Sequence, residues 1–293
     1  MKKVASLLTV ASLGFLVAAC ASLDLSAGNI VAIGQGVQQY QAAEQTEFTP
    51  EQEYYIGRAV AADILSTRKV YDNKAATDYL NVMERALAIY SERPETFGGY
   101  HVLILDSGEI NALSAPGGLI MVTRGLLRCA QNEDEVAAIL AHETSHVVLK
   151  HGLNAIKQAR KTEALKNLGV AAANTVGGSN VQQLTGLFKD SIKDIVHTLV
   201  DSGYSRDQEF AADQMALKIM QNAGYDPRAF EGMLKVMETK LKPGGLGFAK
   251  THPDPADRIA KVEQDLASQP PVATPPKGQA VRQARYQAAL GNI

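Results

Sequence analysis

The sequence predicts an α+β protein, mostly helical, with a small sheet set beside one buried helix. Three observations carry this. Most of the chain reads as capped helices with apolar stripes, and only two short runs alternate like strands, on either side of a Pro-Gly-Gly step. The helix that follows, residues 138–149, is apolar apart from His142-Glu143-Thr144-Ser145-His146. With 293 residues, 46% of them hydrophobic, the chain can bury a substantial core. Its 29 basic and 31 acidic residues leave a net charge of −2, which argues against nucleic acid as a partner. No helical-repeat period is visible.

Met1-Lys2-Lys3 and the apolar run from Val4 to Ala19 read as a secretory signal peptide, short for a membrane span. The run ends in Leu16-Val17-Ala18-Ala19-Cys20, which resembles the lipobox of bacterial lipoproteins. That resemblance implies cleavage before Cys20 and lipidation of it, with several acyl chains giving stable anchoring. The alternative is a plain signal peptide that ends in cysteine. Ala21, where an Asp would stand in the other pattern, resembles the signal for the outer membrane. With Cys20 lipidated, Cys129 has no disulfide partner and is expected as a small packed apolar residue.

The segmentation expected is a signal peptide over 1–19, a tether of weak helical character over 20–48, a catalytic domain over 49–268 and a Pro-rich tail over 269–293. Thr49-Pro50-Glu51-Gln52 is a capped helix start, with Pro at the first helical position and Gln available for a capping box. That helix is expected to reach about Ser66, and a second to run from about Ala75 to Glu92. Residues 100–105 alternate as a strand, which makes His101 a surface residue rather than a ligand. Pro116-Gly117-Gly118 breaks one strand and restarts another at 119–123, as at a sheet edge. Such an edge beside a metal site pairs with an extended peptide or is covered by a loop; the sequence admits both.

Asn132 caps the next helix, Glu133, Asp134 and Glu135 favour its dipole, and Gly152 follows its end. On this helix His142 and His146 lie one turn apart, offset by roughly 40°. Both imidazoles therefore project from one face, the geometry that grips one Zn²⁺. Glu143 lies beside them, placed to face a water. Val147 to Lys150 contain no glycine, so the helix should run on and turn His151 roughly 140° away from His146. His151 is thus read as a helix-end cation, and the third ligand must come from elsewhere.

Two further helices are expected over 153–173 and 181–200, the second with a clear apolar stripe and a solvated or hydrogen-bonded His197. Ser205 and Gln208 open the next with another capping box. Glu209 and Asp213, four apart on one face of an otherwise apolar helix, need a cation. Zinc and a ligating histidine supply one, with Glu209 on the metal and Asp213 accepting the far N–H of a histidine. A helix over about 227–241 follows, then a glycine loop, Thr251-His252-Pro253 and a final helix to about Leu266. Residues 269–278 look extended, with room for a short helix after them.

Taken together, His142-Glu-Thr-Ser-His146, Ser205-Arg-Asp-Gln-Glu209-Phe-Ala-Ala-Asp213, Asn111…Pro116-Gly-Gly…Val122…Gly125-Leu-Leu127 and Thr251-His252-Pro253 resemble metallopeptidase family 48. This is the family of HtpX, the CaaX prenyl proteases and the BepA/LoiP-type periplasmic proteases, and the resemblance covers roughly Thr49 to Leu266. The chain looks like the short single-domain lipoprotein members, lacking the membrane spans of HtpX and the CaaX enzymes. The resemblance implies a gluzincin fold binding one Zn²⁺ through His142, His146 and Glu209, with Glu143 as catalytic base. Tyr204, Arg206 and His252 are candidate oxyanion donors; Arg206 can instead pair with a carboxylate, and His252 can instead reach the metal as a regulatory fourth ligand. The function this implies is a zinc endopeptidase on the periplasmic face of the outer membrane, acting on unfolded or misfolded envelope polypeptides. The competing classes are a non-catalytic, chaperone-like zinc lipoprotein and another zinc hydrolase such as an aminopeptidase.

Overall fold

A computed structural model of the chain describes residues 27–45, 47–171, 192–240, 252, 255–268 and 278–293. The signal peptide, Cys20, the first half of the 181–200 helix, the glycine loop and residues 269–277 lie outside the described residues. Of the described residues, 27–45 and 157–171 belong to one compact unit, and 47–156 with those from 192 onward to the other.

Helix α1, Ala27–Gln45, belongs to the first unit, and residues 157–171 of α6, His151–Ala171, lie in it too. There Lys161 pairs with Glu44 at 3.0 Å and its ammonium lies 5.5 Å from the Tyr40 ring centroid. The stretch expected to have weak helical character is a helix over Ala27–Gln45.

In the second unit, α2 (Pro50–Thr67) and α3 (Lys74–Ile89) precede β1 (His101–Leu105), β2 (Ala112–Ala115) and β3 (Leu119–Thr123). Then come the short α4 (Arg124–Leu127), α5 (Glu133–Val148), α7 (Arg206–Ala223), α8 (Arg228–Lys240), α9 (Pro255–Ala267) and α10 (Gln279–Leu290). Most starts follow local chemistry. Thr49 and Ser205 form reciprocal capping boxes with Gln52 and Gln208, and Asn132 accepts from the Glu135 N–H. Gly224 closes α7 in the left-handed conformation, where a Cβ is costly.

The sheet order is β1-β3-β2, with β1 parallel and β2 antiparallel to β3. Alternation along the strands sends Val102, Ile104, Ala112, Ile120 and Val122 to one face, where they join the core of α3, α5, α7, α8, α9 and α10. Leu105, Leu113, Ala115 and Met121 go to the other face, against Ile56, Val60 and Ile64 of α2 and Leu153, Ile156, Ile195 and Leu199. Fully burying each such aliphatic side chain contributes about 1.5–3 kcal/mol. The hairpin tip is held under α2, because a Cβ on Gly57 would stand 1.8 Å from the Pro116 carbonyl oxygen. Only glycine permits that approach.

β2 is the edge strand beside α5, as expected, but all four of its residues are buried. A π-helical turn, Thr198–Ser202, packs on it. The edge strand is thus buried in this structure. At the carboxyl end, α10 docks Tyr286 and Leu290 into the main core, and Arg285 pairs with buried Glu133 at the start of α5. Among the described residues no helix is long and apolar enough to cross a membrane.

Candidate metal centre

Helix α5 is buried on nearly every face, so its polar residues must be satisfied inside the protein. Thr144 and Ser145 turn their hydroxyls back to the carbonyls of Leu140 and Ala141, at 2.8 and 2.7 Å. His142 and His146 project together, with their Nε2 atoms 3.0 Å apart. The Glu209 carboxylate of α7 meets both, 3.5 Å from His142 Nε2 and 3.4 Å from His146 Nε2. Donors on a tetrahedral zinc, with bonds of about 2.0–2.1 Å, stand about 3.3 Å apart. The spacing of the nitrogen and carboxylate donors of His142, His146 and Glu209 is therefore compatible with a single metal ion.

Among the described residues, His142, His146, Glu209 and His252 form one buried cluster whose donor atoms all lie within 4.8 Å of one another. His252 Nδ1 sits 2.8 Å from both Glu209 oxygens. Asp213, one turn after Glu209, faces His142 Nδ1 at 2.9 Å, the position of an outer partner that fixes a ligand's tautomer.

Electrostatics follow from burial and these partners. Burial and the Arg258 charge push His142 down, but its bonds to Asp213 and Glu209 outweigh them and raise it to about 9. Burial holds His146 well below the ordinary imidazole value. Burial alone would raise Glu209, yet the neighbouring His252 and His146 charges and hydrogen bonds hold it well below the usual carboxylate range. Asp213 is likewise kept low, chiefly by Arg258 against the effect of burial.

Glu143 is 1% exposed, and its Oε1 has no hydrogen-bond partner. It lines two cavities. One is apolar and walled by Leu126, Ile139, Phe230, Met233 and Met237. The other is bounded by Ser114 of β2, Thr198, Leu199, Tyr204 and His252. The Tyr204 ring stacks on His146, centroids 4.3 Å apart, and its buried hydroxyl has no partner. Burial and the charges of Glu143 and Glu209 raise that phenol far above its usual range, so it keeps its proton and can donate.

The remaining expectations sort differently. Arg206 is not brought to the centre; it is exposed and pairs with Asp257 at 3.1 Å. His101 is exposed on its strand, and His197 pairs with Asp201 on the surface at 3.3 Å. Cys129 is buried and free, with its thiol raised by burial. His151 corrects the expectation of a helix-end cation. The helix stops at Val148, and a new one starts at His151, whose Nδ1 lies 2.8 Å from His146 Nδ1. Burial lowers it to about 4, so it is neutral at pH 7.

Two residues were missed. Arg258 is 1% exposed, holds Asp213 through two bonds of 2.9 and 2.6 Å, and reaches Glu209 at 3.5 Å. A signal existed: an arginine on the apolar face of the last helix needs buried carboxylates. Glu84 of α3 is wholly buried against Thr144, 2.6 Å away, and only its position on an apolar stripe hinted at that.

The comparisons with known proteins agree with this centre. A family model described as peptidase family M48 matches residues 74–265. The chain is similar to the Escherichia coli (strain K12) beta-barrel assembly-enhancing protease, 23% identical over 244 residues, 81% of this chain and 45% of that protein. It is similar to the mitochondrial metalloendopeptidase OMA1 of Schizosaccharomyces pombe, 33% identical over 162 residues, 53% of this chain and 43% of that protein. Metalloprotease YcaL of Escherichia coli (strain K12) is 23% identical over 268 residues, 92% of this chain and 99% of that protein. The chain spans about half the length of the first two of these relatives.

Proposed function

Because the chain belongs to peptidase family M48, we propose that it is a zinc-dependent endopeptidase of the bacterial cell envelope that degrades misfolded or damaged envelope proteins. The observation that carries this reading is the buried cluster of His142, His146, Glu209 and His252 beside the unpartnered Oε1 of Glu143. A zinc ion held by His142, His146 and Glu209 supplies Lewis acidity, which polarises the scissile carbonyl and acidifies water. Glu143 takes the proton from the attacking water at its free Oε1 and passes it to the leaving amine. Tyr204, with its protonated and unpartnered hydroxyl, donates to the developing oxyanion. Asp213, held by Arg258, keeps the His142 ring oriented.

The lining of the pocket beside Glu143 is apolar and favours an apolar side chain next to the scissile bond. Such side chains are inside folded proteins and exposed in misfolded ones, which supports a quality-control role. The backbone of an extended substrate pairs with β2 once the Thr198–Ser202 turn moves off it. His252 at Glu209 and the buried edge support a latent resting state, in which His252 would join His142, His146 and Glu209 in holding the metal and leave no open position for water. The apolar run before Cys20 supports export and lipid anchoring, at the periplasmic face of the outer membrane.

The test is metal analysis of the full chain together with casein digestion. Digestion should need zinc, stop with chelator, and be lost in Glu143→Gln while that variant keeps its zinc. Full activity in Glu143→Gln would overturn the mechanism.

A further inference from the structure

We propose that His151 is a positioning residue of the metal centre, holding the His146 ring in the one tautomer that leaves Nε2 free for a metal. The proposal rests on the zinc reading above and names a support of that same site. Two ring nitrogens 2.8 Å apart share a single proton, so one donates and the other accepts. His146 Nε2 faces His142 and Glu209 and must carry a lone pair to ligate. In the neutral ring the proton is then on Nδ1, which donates to His151 Nδ1. His151 accordingly keeps its own proton on Nε2. The two ligands thus have different outer partners: the Asp213 carboxylate behind His142, and a second imidazole behind His146.

The backbone is built to bring this imidazole there. A continuous helix would carry His151 away from the metal face. Instead the chain turns at Lys150, whose φ of 57° is the only positive value at a non-glycine position among the described residues. That conformation is uncommon for a long side chain and needs support from outside the turn. Glu53 of α2 provides it: 1% exposed, it pairs with Lys150 Nζ at 3.0 Å and with Arg93 Nη2 at 2.6 Å. Tyr204 closes the other side, its ring stacked on His146 and 5.5 Å from that of His151. His151 itself is 5% exposed, so the acceptor is shielded from competing water.

The experiment measures zinc affinity of the full chain by competition with a chromophoric chelator, for wild type, His151→Phe and His151→Asn. Phenylalanine fills the space without an acceptor and should weaken zinc by about 10–100-fold. Asparagine places Oδ1 where Nδ1 was and should restore most of that loss. Unchanged affinity in His151→Phe overturns the proposal. Equal loss in both variants also overturns it, because the ring would then be packing alone. A wild-type chain that binds no zinc would instead strike the zinc reading itself. Should His151→Phe fail to fold, ¹⁵N shifts of the histidine rings in the zinc-loaded wild type decide the matter. A bare Nδ1 and protonated Nε2 on His151 are expected, and the opposite tautomer overturns the proposal.

Discussion

Replacing Glu84 with glutamine should change the sign of its effect on stability between pH 5 and pH 8. Glu84 is wholly buried in α3 and faces Thr144 in the middle of the H-E-x-x-H motif. Thr144 Oγ1 lies 2.6 Å from Glu84 Oε1 and 2.8 Å from the Leu140 carbonyl oxygen. The Thr144 hydroxyl donates to Glu84 and shares its single proton with that carbonyl. Burial, with a smaller contribution from the Glu143 charge, raises its carboxyl from 4.5 to about 8 against the lowering effect of Thr144. The unfolded chain loses this proton above about 4.5 while the folded chain keeps it to about 8, so folding stability falls across that window. At about 1.4 kcal/mol per pH unit, the wild type loses about 4 kcal/mol from this group between pH 5 and pH 8. Glutamine has nothing to titrate and still accepts from Thr144 at its amide oxygen, at the cost of a buried amide N–H without a partner, about 1–3 kcal/mol at every pH. The variant should therefore be less stable than wild type by about 1–3 kcal/mol at pH 5 and more stable by about 1–3 kcal/mol at pH 8. Urea unfolding followed by circular dichroism, in chelator so that metal linkage is equal, measures both. The same difference at the two pH values would refute a protonated Glu84.

Four further outcomes are expected. Glu209→Ala should abolish tight zinc binding, whereas Asp213→Ala should weaken it by about 10–100-fold; normal zinc content in Glu209→Ala would remove the third ligand. Arg258→Leu should cost about 3–5 kcal/mol in thermal or urea unfolding of the metal-free chain, since it strands the buried Asp213 and Glu209 carboxylates; a loss under 1 kcal/mol would show that another cation balances them. His252→Ala should raise basal proteolysis if the histidine is a latch, and a fall of about 10²–10³ in kcat with unchanged zinc would make it an oxyanion donor instead. Anchoring is checked by Cys20→Ser, which should leave the membrane fraction on fractionation; a variant still tightly bound to membranes would point to another attachment.

Much of the candidate site is legible because it depends on helix geometry. The one-turn spacing of His142 and His146, and of Glu209 and Asp213, puts each pair on one face wherever the helix lies in space. The same locality made the helix starts readable, since Thr49 with Gln52 and Ser205 with Gln208 satisfy each other three residues apart. A buried helix rich in histidine and glutamate then demanded a cation, whatever surrounded it.

What the tertiary structure alone decided involves partners far apart in the chain. His151 turns back onto His146 because Glu53 and Arg93 steady a left-handed lysine, and nothing in Val147 to Lys150 announces it. Arg206 could have faced the metal or a carboxylate; Asp257 of α9 took it, while Arg258, the next residue, went inward to Asp213. The covering of β2 by the Thr198–Ser202 turn and the docking of α10 through Arg285 and Tyr286 are equally remote pairings. Local spacing fixes the direction of a side chain relative to its own helix. Which carboxylate, ring or strand edge it meets depends on how helices and sheet pack to bury their apolar faces, a choice made by the whole core at once.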